Sequence, residues 1–268
     1  MTRIQSPRRT VLGTIAGTLT ALAGCIGGEN PISSQSQSKA IREVSTGGTS
    51  LEIILRSSAN VDAISVIAPS GSEFKTKQVA TGATRVTVEI GSEYEVGTYR
   101  VVATRSGNEV GNTSVEIQPE VKIREIIVGE KSEQDPPKNL PYAEEQALII
   151  LENTGSGADS AENLSITGGV PNPTEPEKKR KSGIYDSSDE YGAVDRVTVP
   201  AGSQVRLWST TKPFLFTGDG VECEKDEQEH SATVELDFGN SGKISQQIDV
   251  KYSGSEGSED CAVTISQG

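Results

Sequence analysis

Residues 84–90, TRVTVEI, alternate polar and apolar side chains without a break, and that period of two recurs along most of the chain. Successive side chains of a strand point to opposite faces, so such a run buries one face and wets the other. The same reading applies to residues 50–55 (SLEIIL), 61–67 (VDAISVI), 97–103 (GTYRVVA) and 113–117 (TSVEI). Beyond the N-terminal leader no stretch carries a convincing helical period. The runs are separated by Ala68-Pro69-Ser70-Gly71, Ser106-Gly107-Asn108 and Gly239-Asn240-Ser241-Gly242, whose residues favour turns. Short strands at this spacing predict an all-β chain built of sandwiches.

Two such units are expected. The first covers residues 41–119. The second, 120–268, opens with strand 121–128 (VKIREIIV) and continues through 146–155, 163–166, 197–199, 231–238, 243–252 and 261–266. Asp135-Pro136-Pro137 cannot continue a central strand, so a loop is expected there. Residues 168–195 are expected as a long inserted loop. Trp208, in the run Val205-Arg206-Leu207-Trp208, is expected in a core.

The first unit resembles immunoglobulin-like domains of prokaryotic surface proteins. The likeness lies in Gly97-Thr98-Tyr99-Arg100-Val101-Val102-Ala103, the G-x-Y-x-V-x-A of their penultimate strand, and in the turn Ala68-Pro69-Ser70-Gly71. The second resembles the adhesion-related CARDB sandwich, through a strand ending in Asn153-Thr154-Gly155 and the later Pro200-Ala201-Gly202 turn. Together the resemblances imply two immunoglobulin-like β-sandwich domains, with the insertion and the cysteine-bearing tail as departures.

The N-terminus reads as an address. Arg3, Arg8 and Arg9 precede thirteen small and apolar residues, 11–23, and no acidic residue occurs before Glu29. A bilayer core requires about 20 apolar residues in helix, so this run is too short to span. Its order, basic then apolar then small, is that of a signal peptide. Arg8-Arg9 followed by Thr10-Val11-Leu12 resembles a twin-arginine (Tat) export signal. Leu22-Ala23-Gly24-Cys25 resembles a lipobox, which implies cleavage before Cys25 and a lipid on its thiol. Residues 1–24 are thus the expected signal peptide, and 25–40, rich in Ser and Gln, a flexible tether.

Charge narrows the partners. Three of the 25 basic residues and none of the 38 acidic ones lie in residues 1–24, so the mature chain carries a formal −16. Such a surface repels nucleic-acid phosphates and anionic headgroups. An acidic chain with a twin-arginine lipobox resembles haloarchaeal cell-surface lipoproteins. The membrane, through lipid on Cys25, and a surface protein or glycan are the expected partners.

Lipid on Cys25 leaves Cys223 and Cys261, in a compartment that permits either a disulfide or two buried thiols. Closing that loop would stabilise the fold by about 4 kcal/mol on a chain-entropy basis. The single histidine, His230, has no G-x-S-x-G serine to serve and is expected at the start of a strand, in solvent. Glu222, Glu224 and Asp226 sit in the densest acidic cluster and offer oxygen ligands, but match no EF-hand spacing. Lys178, Lys179, Arg180 and Lys181 form the one basic run, a candidate contact for an acidic partner or an ordinary exposed loop. Asn112 and Asn163 begin glycosylation sequons. No cofactor is expected.

The expected function is a non-catalytic interaction, adhesion or scaffold role on the outer face of the cytoplasmic membrane. The alternatives are a solute- or cation-binding lipoprotein feeding a transporter and an exported hydrolase. A transporter lipoprotein usually has an α/β cleft, and no βαβ pattern is present in the sequence.

Overall fold

The computed structural model describes residues 39–268 apart from 130, 131, 133–135, 137–139, 141, 142, 175–181, 187–192, 215–227, 255–261 and 268. The described residues are all-β save for 3-10 turns at Gly129 and Ala143–Glu145, and belong to one compact unit. Within it lie two sandwiches, each of two antiparallel sheets.

The first sandwich pairs strands β1 (Ile41–Gly47), β2 (Ser50–Leu55) and β5 (Arg85–Glu89) in the order β1-β2-β5. Facing them are β4 (Glu73–Gln78), β3 (Ala63–Ile67), β6 (Gly97–Arg105) and β7 (Asn108–Ile117), in the order β4-β3-β6-β7. Period-two alternation does what it predicts: Leu51, Ile53, Val86 and Val88 pack on Ile64, Val66, Tyr99 and Val101. Each such side chain contributes about 1.5–3 kcal/mol through burial. The Tyr99 hydroxyl donates to the carbonyl of Glu95 at 2.8 Å, pinning the entry to β6. Ser106 and Gly107 take φ of +50° and +75°, the left-handed pair that a tight turn between β6 and β7 demands.

β4 is the strand least visible in the sequence, because only Phe74 of its six residues is even partly buried. Its lysines do a different job. Lys75 Nζ donates to the carbonyl of Glu89 at 3.0 Å and Lys77 Nζ to that of Thr87 at 2.7 Å. Both acceptors lie on β5, an edge of the opposite sheet, so lysines cover carbonyls that a foreign strand could otherwise pair with.

The second sandwich contains β8 (Val121–Val128), β9 (Ala147–Asn153), β10 (Asp159–Gly168), β11 (Ile184–Asp186), β12 (Ala193–Val194), β13 (Val197–Val199), β14 (Ser203–Ser209), β15 (Gln228–Phe238), β16 (Gly242–Ser253) and β17 (Ala262–Gln267). Its sheets run β13-β10-β15-β16-β17 and β12-β11-β14-β9-β8. Ile149, Leu151, Leu164, Ile166, Val234 and Val250 fill the space between them.

One expectation changes here. Residues 168–195 are not only a loop: β11 pairs with β14, β12 pairs with β11, and Thr174 bridges Ile166. Pairing of backbone groups with existing strands draws the segment into the fold despite its prolines. Trp208 is buried, as expected, yet it lies in a satellite cluster with Leu140, Ala143 and Leu148 rather than in the core between the sheets. Gly129 makes room for it, since a β-carbon there would meet both Ala143 and Trp208.

Candidate functional site: the joint between the sandwiches

Only Gln118, Pro119 and Glu120 separate β7 from β8, so the ends of the two sandwiches are forced together. Asn153, at the end of β9, organises the contact. Its Oδ1 accepts from the amides of Glu120 (3.1 Å) and Gly155 (3.0 Å). Its Nδ2 donates to the carbonyls of Gly157 (2.8 Å) and Val199 (3.0 Å). All four hydrogen-bonding positions of a buried amide are thereby used. The turn that follows folds back on the linker: Ser156 N donates to Gln118 O at 2.8 Å, and Ser156 Oγ to Glu116 O at 2.8 Å.

Tyr94, from the loop between β5 and β6, crosses into the second sandwich and donates to Ala158 O at 2.8 Å. Burial pushes its pKa above the usual tyrosine value, and the nearby Asp159 carboxylate and Tyr99 add to the shift. Asp159 is fully buried, and four donors satisfy it. Oδ1 accepts from Ser160 N (2.8 Å) and Asn240 N (2.9 Å). Oδ2 accepts from Ser241 N (2.9 Å) and Ser241 Oγ (2.5 Å). The carboxylate thus shapes the β15–β16 turn, and that turn reaches the first sandwich through Asn240 Nδ2, which donates to Ser92 O at 2.8 Å. An Arg196–Glu93 ion pair and an antiparallel bridge between Gly48 and Ala201 complete the joint.

A cleft of about 370 Å³ opens beside it, lined among others by Val96, Pro119, Glu120, Asn240, Ser241 and Ile244. Its mouth is open and its lining mixes polar and apolar side chains. Asn153 and Asp159, both buried and each holding four hydrogen bonds, tie the two ends together.

The sequence-derived candidates fall elsewhere. Arg8, Arg9, Cys25, Lys178, Lys179, Arg180, Lys181, Glu222, Cys223, Glu224, Asp226 and Cys261 lie outside the described residues. Asn112 lies in β7, half-buried, with its amide on Glu109. Asn163 lies in β10, half-buried, donating to Asp237 Oδ2 at 3.4 Å. β15 starts at Gln228, so His230 is its third residue rather than its start, and it is half-buried rather than in full solvent. It pairs with Val250 and sets its ring edge-on to Tyr252 at 6.1 Å. The joint residues were missed except as turn signals. Asn153-Thr154-Gly155 and Gly239–Gly242 are visible as punctuation, whereas nothing around Tyr94 marks it.

No protein-family model and no curated protein matches the chain. Among solved structures it is similar to a two-domain fibronectin type-III segment of chicken tenascin. That match has 12% identity, covers 85% of this chain and 99% of the other, and has a TM-score of 0.26. A β-glucuronidase from glycoside hydrolase family 2 matches at 10% identity over 78% of this chain and 20% of its own, with a TM-score of 0.23. Salmonella α2-macroglobulin reacted with methylamine matches at 10% identity over 78% and 14%, with a TM-score of 0.22. The chain spans about a fifth of the length of that hydrolase. Likeness at this level says nothing about activity, and the sandwich architecture stands on the strand pairing itself.

Proposed function

We propose that the protein is an exported, lipid-anchored surface scaffold whose two sandwiches act as one spacer that presents loops to a partner. The joint carries the reading: a three-residue linker stapled by Asn153, Ser156, Tyr94 and Asn240 suits holding a surface at fixed orientation rather than closing on a substrate. The anchor rests on sequence, Arg8-Arg9 followed by Leu22-Ala23-Gly24-Cys25.

Lys178, Lys179, Arg180 and Lys181 are the presented contact in this reading. Their flanks, Thr174 and Ser182, are buried and bonded to β10: Thr174 N donates to Ile166 O, and Leu164 N donates to Ser182 O. A Cys223–Cys261 disulfide fits the same reading. The described residues nearest them, Gln228 on β15 and Ala262 on β17, pair with Tyr252 and Ser253 at one end of β16.

Mass spectrometry of the membrane-extracted mature protein tests the anchor. The expected product starts at Cys25, carries a lipid there and is two hydrogens lighter than its reduced form. An unmodified Cys25 would end the anchor reading. Crosslinking in intact cells tests the scaffold: the partner captured by the wild type should be lost when the four basic residues become Ser. Unchanged capture would remove that loop from the interface.

A further inference from the structure

The first sandwich is electrically polarised along its strands. Pairing places Ile41 opposite Leu55 and Arg85 opposite Ile54, so the start of β1, the end of β2 and the start of β5 share one pole. The β6–β7 turn, with Arg105 paired to Asn108, reaches the same pole, because Ala63 at the start of β3 pairs with Thr104. The joint with the second sandwich is at the opposite pole, with Gly48, Ser92 and Tyr94. The chain from the tether enters at the free pole, where Arg56 N donates to Ala40 O at 2.9 Å.

This free pole carries Lys39, Arg42, Arg56, Arg85 and Arg105, all exposed. Lys39, Arg42, Arg56 and Arg105 have no ion-pair partner among the described residues, whereas Arg85 is paired with Glu52. The acids nearby are Glu43, Asp62, which accepts from Ser106 N, and Glu109, which is paired with Arg100. Arg42, Arg56 and Arg85 line one recess of about 590 Å³ with the hydroxyl-bearing Ser57, Ser58 and Thr84, and no carboxylate lines it. Glu73, Glu89, Glu93 and Glu95 are exposed toward the joint instead. In a chain of formal charge −13, the basic groups gather where the tether arrives.

We propose that this pole docks on the phosphate-bearing headgroups of an anionic membrane. The proposal rests on the lipid-anchor reading for its geometry. Thirteen residues, 26–38, separate Cys25 from Lys39, and the tether expected there from the sequence would span about 20 Å. The pole is therefore held near the headgroups at about millimolar effective concentration, so weak attraction suffices. Guanidinium groups match phosphate oxygens in pairs, and the hydroxyls of the recess add donors. The chain's overall negative charge does not cancel this. Six residues of β2 span about 20 Å, and charges that far away are screened when the Debye length is about 10 Å at 0.1 M salt. Docking here would seat the first sandwich on the leaflet with the second one pointing away.

Vesicle flotation of residues 35–268 tests it without the lipid, since this unit retains every strand pair and both cores. In 0.1 M salt the unit should float with phosphatidylglycerol-containing vesicles, sediment away from pure phosphatidylcholine vesicles, and be released by 1 M salt. Each basic residue near an anionic surface is worth about fivefold in partition, so R42Q/R56Q/R105Q should lose about a hundredfold. The charge-matched variant K122Q/K243Q/K251Q on the second sandwich should float like the wild type. No flotation on phosphatidylglycerol, equal flotation on both lipids, or equal loss in both variants would overturn the proposal. The salt release of the wild type keeps the test decisive should a variant unfold. The outcome is independent of the anchor: an unmodified Cys25 with a floating unit removes the anchor alone, and a lipidated Cys25 with a non-floating unit removes the docking alone.

Discussion

The hydroxyl of Tyr94 occupies the space that a β-carbon on Gly157 would need, and it uses that closeness to donate to Ala158 O. The residue before the acceptor is thus bare because a side chain from the other sandwich lies on it. This single approach couples the two cores, since Ile117 of the first sandwich also borders the Gly157 position.

Replacing Gly157 with Ala should therefore destabilise the joint through overpacking, by about 1–3 kcal/mol. Tyr94→Phe alone should cost about 1–3 kcal/mol, because the Ala158 carbonyl loses its donor. In Tyr94→Phe/Gly157→Ala the oxygen in collision is gone, so the two losses should add to less than their sum. A double-mutant cycle by urea unfolding measures this, and strict additivity would show that the two residues do not meet.

Asp159→Asn leaves one oxygen and an amide where two carboxylate oxygens accepted four bonds. The amide then faces the Ser241 donors, and the loss should be about 2–4 kcal/mol. The damage should pass through Asn240 to Ser92. Hydrogen exchange should therefore rise in the β5–β6 loop of the first sandwich as well as in the β15–β16 turn. A rise confined to the second sandwich would detach Asp159 from the joint.

Tyr94, Tyr99 and Tyr252 all have their pKa raised, each chiefly by burial. An acid whose pKa is higher in the folded state holds its proton there after the unfolded chain has lost it near pH 10. Its stabilising contribution is whole below that pH and is lost as pH rises toward the folded value. Stability should fall above about pH 10, by up to about 1.4 kcal/mol per pH unit for each tyrosine. Tyr94→Phe should make the decline shallower. Denaturant titrations from pH 8 to pH 11 read this directly, and an identical slope would exclude Tyr94 as a contributor.

Lys75 and Lys77 protect an edge rather than hold the fold. Both are exposed, so Lys75→Glu/Lys77→Glu should change unfolding free energy by less than about 1 kcal/mol. Uncovering the carbonyls of Thr87 and Glu89 should instead promote strand-to-strand association. Light scattering at rising concentration should show larger particles for the variant, and a monodisperse variant would assign the edge no protective role.

The sequence by itself determined the all-β class. Alternation at 84–90 or 97–103 is a local property, and a strand with one apolar face has few choices but to bury it against another sheet. Turn residues at 106–107 and 239–242 are equally local, because backbone conformation there depends on the residue itself. The sequence gives no comparable sign of β4, whose polar face is explained only by the opposite sheet that its lysines reach. The incorporation of 184–186 and 193–194 beside β14 was hidden for the same reason, since short strands borrow their stability from neighbours far along the chain. Trp208 read as buried from its chemistry, but which side of the sheet covers it was decided by the distant Leu140 and Ala143. The joint is the extreme case. Tyr94, Gly157, Asp159 and Asn240 are separated by up to 146 positions, and only packing two sandwiches across a three-residue linker brings them into contact. Pattern along a chain reports what each segment buries, whereas what it is buried against is a property of the folded whole.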